Sequence, residues 1–262
     1  MNGGATVNAG RTVKATRTRA RMLAVRDRLG ACEQRLERAP RTGPRLAIVG
    51  ASYTAGVGPG AASSSWAAVL ARSLRWDSVI YGVPGAGYVA VGPSGLGPVG
   101  RMLDAEGFLA LDPSLVIVQA GHDDDGVPPL LEVRQVTRTV DEIQAQAPQA
   151  QIALLTTFTR PLTGQWRLYD RTDDAIVTAA RAADPDAIIM DPLTGRWKFA
   201  HFDGSGLHPT ATGDAEIAQK VGAILQAHGI TADSSATAVP LICQVSIGVG
   251  GDAGARVTPR AA

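Results

Sequence analysis

Three short segments of this chain carry residues able to do chemistry: Gly50-Ala-Ser-Tyr-Thr-Ala-Gly56, Gly121-His-Asp-Asp-Asp-Gly126 and Asp203-Gly-Ser-Gly-Leu-His-Pro-Thr210. A serine just beyond a buried strand, in a glycine-flanked turn, exposes its hydroxyl while nearby backbone N–H groups point at any oxyanion formed on an attacked carbonyl. Ser52 stands in that position and needs a base. His208 is the candidate, on a loop held by Pro209 and the helical stretch behind it, and an acid shortly upstream would orient the imidazole. Alone, Ser52 reads as a turn or helix-capping serine; joined to the Leu-His-Pro-Thr segment and the other blocks below, it reads as a nucleophile. His122, His201 and His228 lack such surroundings and read as packing or surface residues.

The elements that must position these loops are legible as short apolar runs. Arg45–Gly50, Ser78–Tyr81, Leu115–Gln119, Ile152–Leu155 and Ala187–Met190 read as five strands. Helical stretches lie between and after them, roughly Ser64–Leu74, Gly100–Leu109, Pro129–Gln146, Tyr169–Ala183 and Ala211–His228. Strands apolar on both faces and alternating with helices predict an α/β fold: a five-stranded parallel sheet inside a three-layer α/β/α sandwich. In such sheets the loops after the strands carry function, and the three segments above are loops of that kind.

Other chemistries fit less well. Asp123, Asp124 and Asp125 offer hard oxygen ligands, but three consecutive aspartates cannot all face one ion and no second acidic cluster accompanies them, so no metal is expected. Gly56-Val-Gly58-Pro-Gly60-Ala61 imitates a dinucleotide fingerprint, yet it starts six residues past Gly50 and no acid closes the second strand, so no cofactor is expected. Trp166, Trp197 and Tyr88 either line a substrate pocket or fill the core.

Together the blocks resemble the SGNH hydrolase superfamily, the GDSL-type esterases and lipases, over residues 45–228. Gly50-Ala-Ser-Tyr-Thr-Ala-Gly56 matches GDSxTxG with Ala51 in place of the aspartate, and Gly82-Val-Pro-Gly85 matches a GxxG turn. Gly121-His-Asp-Asp124 aligns with GxND, and Ser205-Gly-Leu-His208-Pro209 with DxxHP. The resemblance implies a flavodoxin-like SGNH fold and a serine esterase acting on small acyl esters, short-chain lipids or acetylated carbohydrates, without metal or cofactor. Ser52 would be the nucleophile and His208 the base, with the N–H groups of Ser52 and Gly85 in the oxyanion hole.

Two working positions depart from the pattern. Asp123 replaces the oxyanion asparagine, and an ionised carboxylate accepts hydrogen bonds but donates none. Burial beside Asp124 and Asp125 would keep it protonated and donating; otherwise it impairs the hole. Ser205 replaces the triad aspartate, leaving Asp203, reached through Gly204 and Gly206, or a carbonyl to orient the ring; Asp203 is favoured. These departures keep two alternatives open, a weakly active or inactive SGNH-like binding protein and an acyltransferase using the same serine.

The flanks differ in character. Residues 1–43 read as a basic arm with an amphipathic helix over Thr16–Ala39, residues 44–229 as the hydrolase domain, and 230–262 as a small-residue tail, mostly disordered, in which Leu241–Val249 is a strand candidate without a specified partner. Residues 1–45 hold 11 Lys and Arg against three acids, a balance of +8 against −7 for the rest. With no aromatics in the arm to stack bases, it is expected to contact its own acidic body and not nucleic acid. No apolar run is long enough to span a membrane. No leader is visible, so the cytoplasm is expected, with a Cys32–Cys243 disulfide left open in case of export.

Overall fold

The computed structural model describes residues 27, 30–32, 34–39, 43–58, 62–106, 108–158, 170–198, 201–235, 239–247 and 253–257. The apolar runs form β1 (Arg45–Gly50), β2 (Asp77–Gly82), β3 (Leu115–Gln119), β4 (Gln151–Leu155) and β5 (Ile188–Met190), each a parallel neighbour of the next in the order β5-β4-β3-β1-β2. β1 is central, with Ile48 opposite both Ile80 of β2 and Ile117 of β3. The chain runs to one side of β1 for β2 and to the other for β3, β4 and β5. The crevice where strand order reverses therefore opens at the carboxyl ends of β1 and β3, where ligands bind in sheets of this kind.

Alternate strand residues build two cores. On one face Ala47, Val49, Tyr81, Val116, Val118 and Leu154 meet the apolar sides of three helices, α3 (Val99–Glu106), α4 (Pro129–Gln146) and α5 (Asp170–Ala183). On the other, Leu46, Ile48, Ile80, Ile117 and Leu155 meet α2 (Trp66–Leu74) and α6 (Ala211–Ala227). A one-turn helix, α1 (Ser52–Ala55), follows β1 directly. Helix starts carry their own donors' acceptors: the Ser65 side chain accepts from Ala68 N–H at 3.3 Å, and Thr210 from Gly213 N–H at 3.3 Å. This is the three-layer sandwich expected from alternation.

The sheet is wider than expected. It has seven strands: β6 (Ile242–Ile247) lies parallel to β2, and β7 (Ala253–Val257) pairs antiparallel with β6. The tail expected to be mostly disordered thus contributes the strand beside β2, whose outer edge would otherwise expose a row of unpaired N–H and C=O groups. A Cys32–Cys243 disulfide, spanning 211 residues, joins β6 to helical residues between 30 and 38. Cys32 and Leu36 are buried with the first core, and the Arg45 guanidinium donates to the Leu36 carbonyl at 2.9 Å, satisfying a carbonyl near that helix's end.

Candidate active site

Gly50 ends β1 and Ser52 is the first residue of α1, so its N–H has no acceptor within the helix and is available to a ligand. The turn is held from β3. Gln119, buried at the end of an otherwise apolar strand, accepts through its side-chain oxygen from the N–H groups of Ala51 and Thr54, at 3.2 and 3.3 Å, and from the Thr54 hydroxyl at 2.9 Å. Below it, Gly82 of β2 lies so close to α1 that a Cβ there would sit 2.2 Å from Ala55 N. Only glycine admits this approach, which brings the Gly82–Gly85 turn alongside the serine turn. Gly85 lies three residues beyond β2 at φ 78°.

His208 arrives from the opposite direction, on the loop between β5 and α6. Its Nδ1 lies 3.7 Å from Asp203 Oδ2, within ion-pair reach but longer than a hydrogen bond. Ser205 does not face the ring; its hydroxyl and N–H donate to Asp203 Oδ1 at 2.5 and 3.1 Å. The same oxygen also faces the N–H groups of Leu207 and His208 at 3.3 and 3.5 Å. Partial burial alone would raise the Asp203 carboxyl, but donation from the Ser205 hydroxyl and these amides outweighs it and holds Asp203 below the usual aspartate range. It is a carboxylate at neutral pH, and its partners fix its orientation.

The two loops meet through Tyr53. Its ring stands edge-on to His208 with centroids 6.0 Å apart, and its hydroxyl donates to the Leu207 carbonyl at 2.7 Å. A Cβ on Gly58 would lie 2.6 Å from the Pro209 carbonyl oxygen, a second close approach of the same two loops. Ser52, Asp203 and His208 thus stand on two segments in contact, and the turn carrying Gly85 flanks them.

The aspartate run divides. Asp124 is fully buried, whereas Asp123 and Asp125 are exposed, so the burial expected to keep Asp123 protonated falls on its neighbour instead. The cause is the one-turn helix over His122–Asp124, launched by Gly121 at φ 108°, which aims one side chain of the three inward. Asp124 accepts from the N–H groups of Tyr88, Val89 and Ala90 at 2.7, 3.1 and 2.7 Å and so clamps the loop beyond Gly85. Glu132 of α4, also buried, is pushed up to about 9 by burial and by the charge of Asp124. Among the described residues no group of three or more His, Cys, Asp and Glu side chains is arranged to hold a metal ion.

Tyr88 is a core residue, Trp197 packs on Phe158 with ring centroids 6.4 Å apart, and Trp166 lies outside the described residues. Gln119 and Asp124 are the anchors that sequence reading passed over. A glutamine closing the run Leu-Val-Ile-Val was the available signal for the first; nothing local distinguished Asp124 from its neighbours.

Comparison with known proteins agrees with this architecture. The model of the GDSL-like lipase/acylhydrolase family matches residues 48–215. The chain belongs to that family. It is a carboxylic ester hydrolase with the SGNH fold. Among solved structures, a carbohydrate esterase family 2 enzyme with a carbohydrate-binding domain from Corynascus thermopiles (Myceliophthora fergusii) superposes at TM-score 0.60 and 18% identity, over 73% of this chain and 68% of that one. TesA superposes at 0.55 and 21% identity, over 70% of this chain and 98% of its own. The psychrotrophic esterase EstA from Pseudoalteromonas sp., in a form inhibited by monoethylphosphonate, superposes at 0.54 and 19%, over 71% and 98%. No curated protein sequence matches the chain. Among the described residues, no helix is long and apolar enough to cross a membrane.

Proposed function

We propose that this hydrolase is a serine esterase working through an acyl-enzyme. The observation that carries the reading is Asp203 at 3.7 Å from His208 on a loop gripped by the residue next to Ser52. Ser52 Oγ attacks the ester carbonyl carbon while His208, its Nδ1 turned to Asp203, takes the hydroxyl proton on Nε2. The N–H groups of Ser52 and Gly85 receive the tetrahedral oxyanion. The C–O bond breaks, the departing alkoxide takes the proton from His208, and the acyl group stays on Ser52. Water, deprotonated by His208, then attacks the acyl carbon; the acyl–Oγ bond breaks, Ser52 Oγ takes the proton back from His208, and the acid leaves.

Asp123 stands at the oxyanion position of the family pattern, where an aspartate lacks the N–H donors that an asparagine would bring to a site that needs them. Substrates are small acyl esters, acetylated carbohydrates or short-chain lipids; a structural neighbour described as a carbohydrate esterase supports the carbohydrate arm. The Cys32–Cys243 bond supports an oxidising compartment over the cytoplasm expected from the lack of a visible leader.

Hydrolysis of p-nitrophenyl acetate and butyrate from pH 5 to 9 tests the reading. Native protein is expected to turn over, Ser52→Ala to lose that turnover, and Asp123→Asn to raise it by about 10², the usual worth of one oxyanion donor. Equal rates for native protein and Ser52→Ala overturn the mechanism. Asp123 favours a second reading, a fold retained for binding, and activity appearing only in Asp123→Asn would select it.

A further inference from the structure

The peptide joining Leu207 to His208 is held at both ends. Its carbonyl accepts the Tyr53 hydroxyl at 2.7 Å, and its N–H faces Asp203 Oδ1 at 3.5 Å. The His208 carbonyl is held as well, accepting from Asp203 N–H at 2.8 Å. Two of these three restraints come from within the histidine's own loop and move with it. The third comes from the residue after Ser52, 154 positions away in the chain.

Tyr53 is itself fixed. It is 3% exposed, its ring packs against Phe158 with centroids 4.9 Å apart, and on other sides it meets His122 at 5.9 Å and His208 at 6.0 Å. Its backbone belongs to α1, which Gln119 holds through Ala51 and Thr54 on either side. A donor on a turn held by Gln119 thus reaches the carbonyl of Leu207, the residue joined directly to the one that must meet the nucleophile. A buried phenol needs a partner of this kind, but one anywhere in the core would satisfy it; the partner here is the carbonyl immediately before His208.

We infer that Tyr53 is a positioning residue for the Ser52–His208 pair: its hydroxyl ties the histidine loop to the nucleophile turn and sets their separation. This rests on the serine-esterase reading above. The hydroxyl acts through the Leu207–His208 peptide, beside the edge-on packing of the Tyr53 ring on the His208 imidazole. Proton transfer depends steeply on donor–acceptor distance and alignment, and misplacement by about 1 Å can cost about 10²-fold. Substrate affinity does not depend on that distance.

The test is Tyr53→Phe, which keeps the ring and its packing and removes only the hydroxyl. A phosphonate ester with a p-nitrophenol leaving group titrates Ser52 directly, and p-nitrophenyl butyrate gives kcat and KM. Expected is a phosphonylation rate lower by about 10- to 100-fold, kcat reduced in step, KM unchanged and an altered pH–rate profile, because His208 loses its registration. A second variant, Tyr53→Trp, keeps an aromatic ring and supplies an N–H donor but not the reach to Leu207, and is expected to stay slow. Phosphonylation of Tyr53→Phe at the native rate with the native pH profile, even with a lower melting temperature, overturns the inference. A native protein that the phosphonate does not modify at Ser52 overturns the esterase reading instead, so the two failures are told apart.

Discussion

Reducing the Cys32–Cys243 bond should be the most destabilising change that leaves the candidate site untouched. The bond closes a loop spanning 211 residues, and chain-entropy arguments assign such a cross-link about 5 kcal/mol by confining the unfolded chain. Both cysteines are at least 98% buried, so the freed thiols still fill the same space and little is lost from packing. For a protein of this size, each kcal/mol moves the melting temperature by about 2–4 °C, giving an expected fall of about 10–20 °C on reduction. The assay is thermal unfolding of native protein with and without a phosphine reductant, with thiols counted in denaturant to verify that two are released. Cys243 pairs with Val79, away from the Gly82–Gly85 turn, so kcat at low temperature should not change. Two titrated thiols with a melting temperature shifted by under about 3 °C would refute the reasoning, and would mean that β6 and the amino-terminal helical residues are held by packing alone.

Two further outcomes follow from buried groups. Burial raises Glu132 to about 9, Asp214 to about 7 and Asp173 to about 6, so these three groups together bind more protons in the folded than in the unfolded chain from about pH 4 to 9. Stability should fall as pH rises through that window, and Glu132→Gln should flatten the decline above pH 7 in urea titrations at several pH values. Gly82→Ala would drive a Cβ into the backbone of α1, 2.4 Å from Ala55 Cα, so a loss of at least about 2 kcal/mol and of esterase activity is expected from chemical denaturation and turnover.

The parallel strands β1 to β5 were readable because burial on both faces leaves a continuous apolar run, and turns beyond Gly50 and Gly121 marked where such runs stop. β6 was not readable in the same way. Its sequence, Ile-Cys-Gln-Val-Ser-Ile, is an ordinary alternating strand, and what seats it is the open edge of β2, a property of the assembled sheet. The disulfide follows from that pairing, since only the strand brings Cys243 into the core beside Cys32. Within the site, Gly204 and Gly206 hinted at a loop able to fold Asp203 back toward His208, and the carboxylate does lie there. The split of the aspartate run was hidden, because three identical side chains differ only in where a single turn points them. The Tyr53–Leu207 contact joins residues too far apart for any local pattern to record.

The order in which the chain is made bears on the same disulfide. Cys32 emerges from the ribosome first and waits while 210 intervening residues are synthesised, with its partner held back until after α6. Strands β1 to β5 and all the candidate catalytic residues precede Cys243, so the covalent lock can close only on a chain in which those segments have all been made. The bond therefore joins the first helical residues of the described chain to a strand made after every candidate catalytic residue, so the sheet that carries the site is closed covalently from its two ends in sequence.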